Sequence, residues 1–277
     1  MSYKRALTIQ DISCVGQCSL TVALPILSAC GVETCVLPSA VLSTHTAGFT
    51  GFTVRDLAAD MPAILNHWVK EGITFDAICT GYLGSTEQVD YVLDIFARTA
   101  APGCVTVVDP AMADHGKLYP AFDGAYVEAM KRLCAGADYI LPNITEACFL
   151  TGTEYRECYD RAYIDLLLEK LIALGCRNVI LTGVSFAANR TGIVVFCDGV
   201  YAYYEHTLLG NSCHGTGDIY AAAFVGALVR GNSPYDAARI AGDYTVSCIE
   251  YTATIPNHWY GAAFEPVLPA LIEALNN

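Results

Sequence analysis

Short apolar strands alternate with helical segments from one end of this chain to the other. Ala6 to Gln10 reads as a buried strand running into a polar turn around Asp11, Ser13 and Gly16. Ser19 then caps a helix through Val22 and Leu27 to Gly31, a natural C′ glycine, with Pro25 inside it as the cause of a kink or a late start. Thr34 to Leu42 is the next strand, and strand, helix, strand at this spacing is the pattern of a parallel βαβ unit.

The alternation continues. Leu42 to Leu57 is rich in Thr, Gly and His without a helical period, the kind of strand-end loop that carries function. Asp60 to Lys70, Ser85 to Ala97, Ala121 to Cys134, Asn143 to Leu150 and Arg161 to Leu174 read as helices, with Ser85 and Gln88 as a capping box. Ala77 to Thr80, Val105 to Val108, Tyr139 to Leu141 and Val179 to Thr182 read as strands between them. Ile193 to Phe196 and Val200 to Tyr204 form a hairpin about Asp198-Gly199, and Tyr235 to Tyr251 and Pro266 to Leu275 are the last helices. No repeat or Pro/Ser linker divides the chain, so residues 1–277 are expected to be a single doubly wound α/β domain. Such sheets bind ligands beyond the carboxyl ends of their strands, and Asp11, Asp109, Asn143 and Thr182 fall at those ends.

Hydrophobic residues make up 54% of the 277 and charged ones 16%, enough for a large core and against disorder. The net charge of −13 opposes nucleic acid or an anionic membrane as partner, so positive charge for any bound phosphate would be local: metal ions, helix amino termini or a few Lys and Arg. The thirteen cysteines contain no C-x-x-C zinc pair, and many sit in apolar segments. The opening MSYKRALTIQ lacks an apolar signal sequence, and no run reaches the about 18 apolar residues of a membrane span. A reduced cytoplasmic protein is the expectation.

Asn211 to Val229 passes from a polar, glycine-bearing turn into a long apolar helix. Gly215, Thr216 and Gly217 stand where the chain enters it, so unpaired N–H groups and a partial positive charge meet a backbone that a ligand can approach. That is an anion site. Asp218 follows at once; it would repel a resting phosphate, but it suits the removal of a proton from a hydroxyl attacking a phosphoryl group. The plainer reading is an ordinary cap and turn. Asn143 and Glu146 share one helix face, either as a capping pair or as holders of a hydrated Mg²⁺, and Asp109 and Asp114 either start a turn or add carboxylate near metal and phosphates.

Together these pieces resemble the ribokinase-like superfamily, and within it the pyridoxal (vitamin B6) kinases, over nearly the whole chain. HGTGD at His214 to Asp218 is similar to the family's GTGD segment, LPNITE at Leu141 to Glu146 to its TPNxxE, and VVDPAMAD at Val107 to Asp114 to its DPVxGD. GTGD fits any member of the superfamily; STHTAGF at Ser43 to Phe49, with TGY at Thr80 to Tyr82, narrows the resemblance to the B6 kinases. The resemblance implies a ribokinase-like α/β fold, a central mostly parallel sheet with helices on both faces. It implies ATP-dependent phosphorylation of the 5′-hydroxymethyl group of pyridoxal, pyridoxine or pyridoxamine. Asp218 would be the base and Gly215, Thr216 and Gly217 the anion hole. Asp109, Asn143 and Glu146 would serve Mg²⁺ and phosphates with Asp114 beside them, Glu146 and Asp109 standing nearest the metal. Thr182 and Thr216 would touch ATP and Tyr119 cover it. Asp11, His45, Thr46 and Tyr82 would line the substrate ring. A monovalent cation such as K⁺ belongs to the same scheme as an open addition to Mg²⁺.

The chain departs from the family at several positions. Asp11 stands where many relatives have Ser, favouring a protonated ring nitrogen; Thr44 and Ala47 replace Asn and Gly, and His214 replaces an apolar residue. Cys213 lies near a helix amino terminus, where a thiol is either inert or made reactive. Two other functions remain open: a hydroxymethylpyrimidine kinase of the same superfamily, or a B6-binding regulatory protein without turnover. Tyr201, Tyr203, Tyr204 and Trp259 look exposed and suggest a homodimer.

Overall fold

The apolar runs become strands of one sheet, and the segments between them become helices over its two faces. In the computed structural model, which describes residues 3–210 and 213–276, the strands are β1 (Arg5–Ser13), β2 (Glu33–Leu42), β3 (Val54–Asp56), β4 (Phe75–Thr80) and β5 (Ala100–Val108). A short ribbon of β6 (Ala113–Asp114) and β7 (Lys117–Leu118) follows, then β8 (Tyr139–Ile140), β9 (Asn178–Val184), β10 (Arg190–Cys197) and β11 (Val200–Thr207). The main sheet runs β11-β10-β9-β8-β5-β4-β1-β2-β3. Its centre, β9 to β2, is parallel, while β3 at one edge and β10 and β11 at the other are antiparallel. Asp198 and Gly199 both take positive φ, as the tight β10–β11 hairpin requires.

The helices are α1 (Leu20–Ala29), α2 (Met61–Lys70), α3 (Thr86–Thr99), α4 (Gly124–Ala135), α5 (Ile144–Thr151), α6 (Arg161–Ala173), α7 (Thr216–Val229), α8 (Pro234–Thr252) and α9 (Leu268–Ala274). Helices α2 to α6 bury residues such as Met61, Val92, Met130 and Leu167 on one face of the sheet. Helices α1, α7, α8 and α9 bury Ile26, Phe224, Ala241 and Leu271 on the other. α7 is buried along almost its whole length, which explains a run with no polar stripe.

β1 lies between β2 and β4, so the direction of sheet growth reverses there and a crevice opens beyond the carboxyl ends of β1 and β4. Several local readings of the sequence change. The strand predicted to end at Gln10 runs on to Ser13, with a register shift between Gln10 and Ile12. The irregularity falls at Asp11, and bulges of this kind re-aim side chains at sites. Gln88 does not close a capping box: Ser85 accepts its amide N–H, but the Gln88 carboxamide oxygen accepts from Gly84 and its NH₂ reaches Ser39 O and Asp56. The loop read from Leu42 to Leu57 also holds the three-residue edge strand β3. Tyr201, Tyr203 and Tyr204 pack against the two apolar layers, which leaves Trp259, 52% exposed, as the one strongly exposed member of that aromatic set.

Candidate active site

Gly215 enters α7 with φ 78°, and a Cβ there would lie 1.9 Å from the Gln17 carbonyl oxygen. Only glycine tolerates both the left-handed backbone and that approach. No side chain caps the amino end of α7, so the first-turn N–H groups of Thr216, Gly217 and Asp218 face the crevice. Asn211, at the head of this stretch, lies outside the described residues. The Asp218 carboxyl is raised to about 7 by burial, with Asp109 and Asp11 adding to the effect and the Ser19 amide opposing it. A carboxylate tuned near neutrality is matched to taking a proton at ordinary pH.

Asp109, at the end of β5, accepts from the Ala111 amide, and a Cβ on Gly217 would come within 4.0 Å of its Oδ2. Glu146 is 3% exposed and closes a capping box with Asn143: each side chain accepts the other's backbone N–H at 2.9 Å. Its other oxygen accepts the Met112 amide at 3.1 Å, so Glu146 pins the β5–β6 loop to the start of α5. Burial raises both carboxyls, and for Glu146 the nearby Asp109 raises it further. Glu146→Ala should therefore leave two amides without their partner and lower stability by about 2–3 kcal/mol, read as a fall in Tm.

Asn143 donates to Ala113 O at 2.9 Å and pairs through the backbone with Thr182, whose amide donates to Pro142 O at 2.9 Å. Tyr119 is 38% exposed, its ring lies 6.4 Å from that of Phe122, and its hydroxyl is raised by burial and then by Glu146, Asp109, Asp114 and Asp218. Asp114 is apart from the rest: it is exposed on the β6–β7 ribbon and accepts the His115 amide. The capping pair and the cluster are thus both present, and neither excludes the other.

On the other side of Asp218, Asp11 is buried. Its Oδ1 accepts the Ser19 hydroxyl at 2.6 Å and its Oδ2 the Ser13 hydroxyl at 3.2 Å. Burial raises Asp11 against both hydroxyls. Ser19, read from sequence as a cap, makes no cap hydrogen bond; at φ 57° it instead turns its hydroxyl to Asp11. Strained residues of this sort persist where the surrounding structure needs them. Tyr82 is raised by burial and by Asp11, and its ring packs at 5.3 Å from Phe122. His45 is buried, with its ring centroid 5.7 Å from that of His214, while Thr46 is exposed at the lip of the same loop. Cys213 and Cys18 are both raised by burial, so proximity to a helix amino terminus has not made a reactive thiolate of Cys213.

Sequence reasoning missed four contributors. Gln10 and Thr145 look like interior strand and helix residues, yet Gln10 packs on Gly81 and Thr145 accepts the Gly116 amide at 3.1 Å. Ser19 is the third. The segment from Asn257 to Gly261 is the fourth: it meets the Ser43–Phe49 loop through Trp259 against Phe49 at 4.7 Å and His45 against Tyr260 O at 2.7 Å. Its crowding of His, Trp and Tyr was the available signal.

Among the described residues, no salt bridge reaches Asp11, Asp109, Glu146 or Asp218. Nor do three His, Cys, Asp or Glu side chains converge as a direct metal cage. Carboxylates with no cationic partner and no cage would suit a hard cation that keeps its waters, as Mg²⁺ does. A helix terminus with uncapped N–H groups, a carboxyl raised toward neutrality in its first turn and further acidic side chains at the carboxyl ends of a parallel sheet fit a small-molecule kinase of the ribokinase-like class.

The phosphomethylpyrimidine kinase family model matches residues 24–263, and the chain belongs to that family. The pyridoxal kinase PdxY of Granulibacter bethesdensis is 30% identical over 229 residues, 79% of each chain. The crystal structure of pyridoxal kinase from Lactobacillus plantarum superposes with a TM-score of 0.91 at 33% identity, covering 99% of this chain and 98% of that one. A putative phosphomethylpyrimidine kinase from Bacteroides thetaiotaomicron, crystallised with pyridoxal, gives 0.91 at 34% identity over 98% and 96%. The hydroxymethylpyrimidine/phosphomethylpyrimidine kinase of Bacillus subtilis is 26% identical over 264 residues, 92% of each chain.

Proposed function

We propose that this chain transfers the γ-phosphoryl group of ATP to the 5′-hydroxymethyl group of a B6 vitamer: pyridoxal, pyridoxine or pyridoxamine. The observation that carries the reading is Asp218, a carboxyl raised to about 7 in the first turn of a helix whose leading N–H groups are uncapped, with Asp109 and Asp11 both near enough to raise it. Asp218 takes the hydroxyl proton as the oxygen attacks. The N–H groups of Thr216 and Gly217 hold the charge on the transferring oxygens without reorganising. Asp109 and Glu146, with Asn143, would hold Mg²⁺ through its waters, and the ion would neutralise phosphate charge. Thr182 and Tyr119 would bound the nucleotide, with Asp114 at its outer edge. Asp11, Thr46 and Tyr82 would face the ring.

Asp11 brings a second carboxylate to the ring pocket. It favours a ring nitrogen that carries a proton, which supports the pyridine vitamers. Relatives named for hydroxymethylpyrimidine support that compound as the second reading. An ADP-release assay with Mg-ATP separates the two by relative kcat/KM.

The proposed working form is a homodimer in the cytoplasm. The thirteen cysteines are all unpaired, which supports a reducing compartment. No helix among the described residues is long and apolar enough to cross a membrane. Light scattering on the purified chain reports the mass: twice that of the chain supports the dimer, and a single-chain mass removes it.

A further inference from the structure

Three loops close the ring side of the crevice, and one side chain touches all of them. His45, in the loop between β2 and β3, is 5% exposed. Its Nδ1 meets the Ala47 amide at 3.2 Å and its Nε2 meets the Tyr260 carbonyl oxygen at 2.7 Å. An amide N–H only donates and a carbonyl only accepts, so the partners assign the tautomer: Nδ1 accepts and Nε2–H donates. Both ring nitrogens are then committed to backbone, and neither is free for a polar group of a substrate.

The third loop, between β1 and α1, reaches the same ring. The backbone of Gly16, at φ 113°, comes so near that a Cβ would lie 2.1 Å from His45 Cδ2. Gln17, its neighbour, meets His258 at 2.8 Å and bridges to Gly261 through the backbone. The His45 ring also packs edge-on to Phe49 at 4.9 Å, and Phe49 packs on Trp259 at 4.7 Å. Trp259 lies over Gly48, where a Cβ would be 2.8 Å from its ring. The Ser43–Phe49 loop thus meets the Asn257–Gly261 segment through His45 on Tyr260 O and through Gly48 and Phe49 against Trp259, and His45 makes the polar contact among these.

We propose that His45 is a positioning residue, a latch that fastens the Ser43–Phe49 loop to the Asn257–Gly261 segment and so holds the ring pocket closed, and that it makes no polar contact with the substrate. The kinetic half of this inference rests on the function proposed above; the structural half does not.

The test uses Trp259 as reporter. The chain has two tryptophans, and Trp68→Phe leaves Trp259 alone. Trp68 lies in α2 against Phe75, away from the crevice. In that background, His45→Phe keeps a ring but removes both hydrogen bonds, while His45→Gln keeps a side-chain N–H for Tyr260 O. The latch predicts that His45→Phe increases acrylamide quenching of Trp259 without any substrate present and that His45→Gln restores much of the protection. It also predicts that His45→Phe raises the vitamer KM about tenfold, the loss of one or two net hydrogen bonds, while the KM for Mg-ATP stays within about twofold and His45→Gln is intermediate. Unchanged quenching in a folded His45→Phe protein overturns the latch. A raised vitamer KM with unchanged quenching overturns it in favour of direct contact. Altered quenching with unchanged KM overturns the claim that the loop shapes the pocket. If no vitamer is turned over at all, the proposed function fails, and quenching alone still decides the latch.

Discussion

Asp218→Asn is expected to lower kcat by about 10³-fold and at the same time to raise Tm. Both effects have one cause. The carboxyl is raised from 3.8 to about 7 because its charged form is costly where it sits. Asn keeps the shape and some of the hydrogen bonding, loses the base and removes that cost. Between about pH 4 and 7 the folded protein holds a proton that the unfolded chain has released, so stability falls as pH rises through this window. Above about 7 the folded carboxyl is ionised and the full penalty is present. At pH 8 the Asn variant should therefore melt several degrees higher, with a smaller difference near pH 4. The wild-type kcat should fall as pH drops through about 7, because only the ionised form accepts the proton. Calorimetry and a pH–rate profile read both. A variant with unchanged kcat would remove Asp218 from the chemistry.

Gly215→Ala is the second large effect. Its Cβ would lie 1.9 Å from a backbone oxygen that no rotamer change can move, at a residue whose φ of 78° already disfavours a side chain. The strain of the left-handed backbone, about 1–2 kcal/mol, adds to overpacking of about 1–3 kcal/mol. The fold has to yield at the loop between β1 and α1 or at the first turn of α7. Either movement takes N–H donors away from the transferring oxygens, and losing one such donor costs about 10²–10³ in kcat. Gly217→Ala, whose Cβ meets nothing closer than Asp109 Oδ2 at 4.0 Å, should be milder in Tm. Equal Tm loss in the two variants would contradict the close approach of Gln17.

The alternation of strands and helices was legible because apolar period and length set it, and both survive in a single sequence. The Gly-Thr-Gly-Asp entry to α7 was legible because backbone chemistry fixes which residues an uncapped, ligand-facing turn can use. Asn143 and Glu146 were legible as a pair, and the capping geometry formed as their spacing allows. What could not be read was long-range. Ser19 looks like a cap because its partner Asp11 is eight positions away on a different element. The strand β1 looked shorter because Asp11 and Ser13 are polar residues held in a strand for the site rather than for the core. His45 and Tyr260 are 215 positions apart, and nothing local in either loop announces that a ring nitrogen of one meets the carbonyl of the other. Tyr201, Tyr203 and Tyr204 looked exposed because alternate aromatic residues on an edge hairpin do not reveal that helices cover both of its faces.

The most direct test of the central claim is coupled ADP release with Mg-ATP, comparing pyridoxal, pyridoxine, pyridoxamine, hydroxymethylpyrimidine and ribose on the wild-type chain. The account predicts turnover on a B6 vitamer with kcat/KM well above that for the other two compounds, lowered about 10³-fold in Asp218→Asn. A clear preference for hydroxymethylpyrimidine would keep the base and the anion hole but contradict the assignment of the ring pocket. Tight pyridoxal binding with no ADP release from any acceptor would contradict the kinase itself.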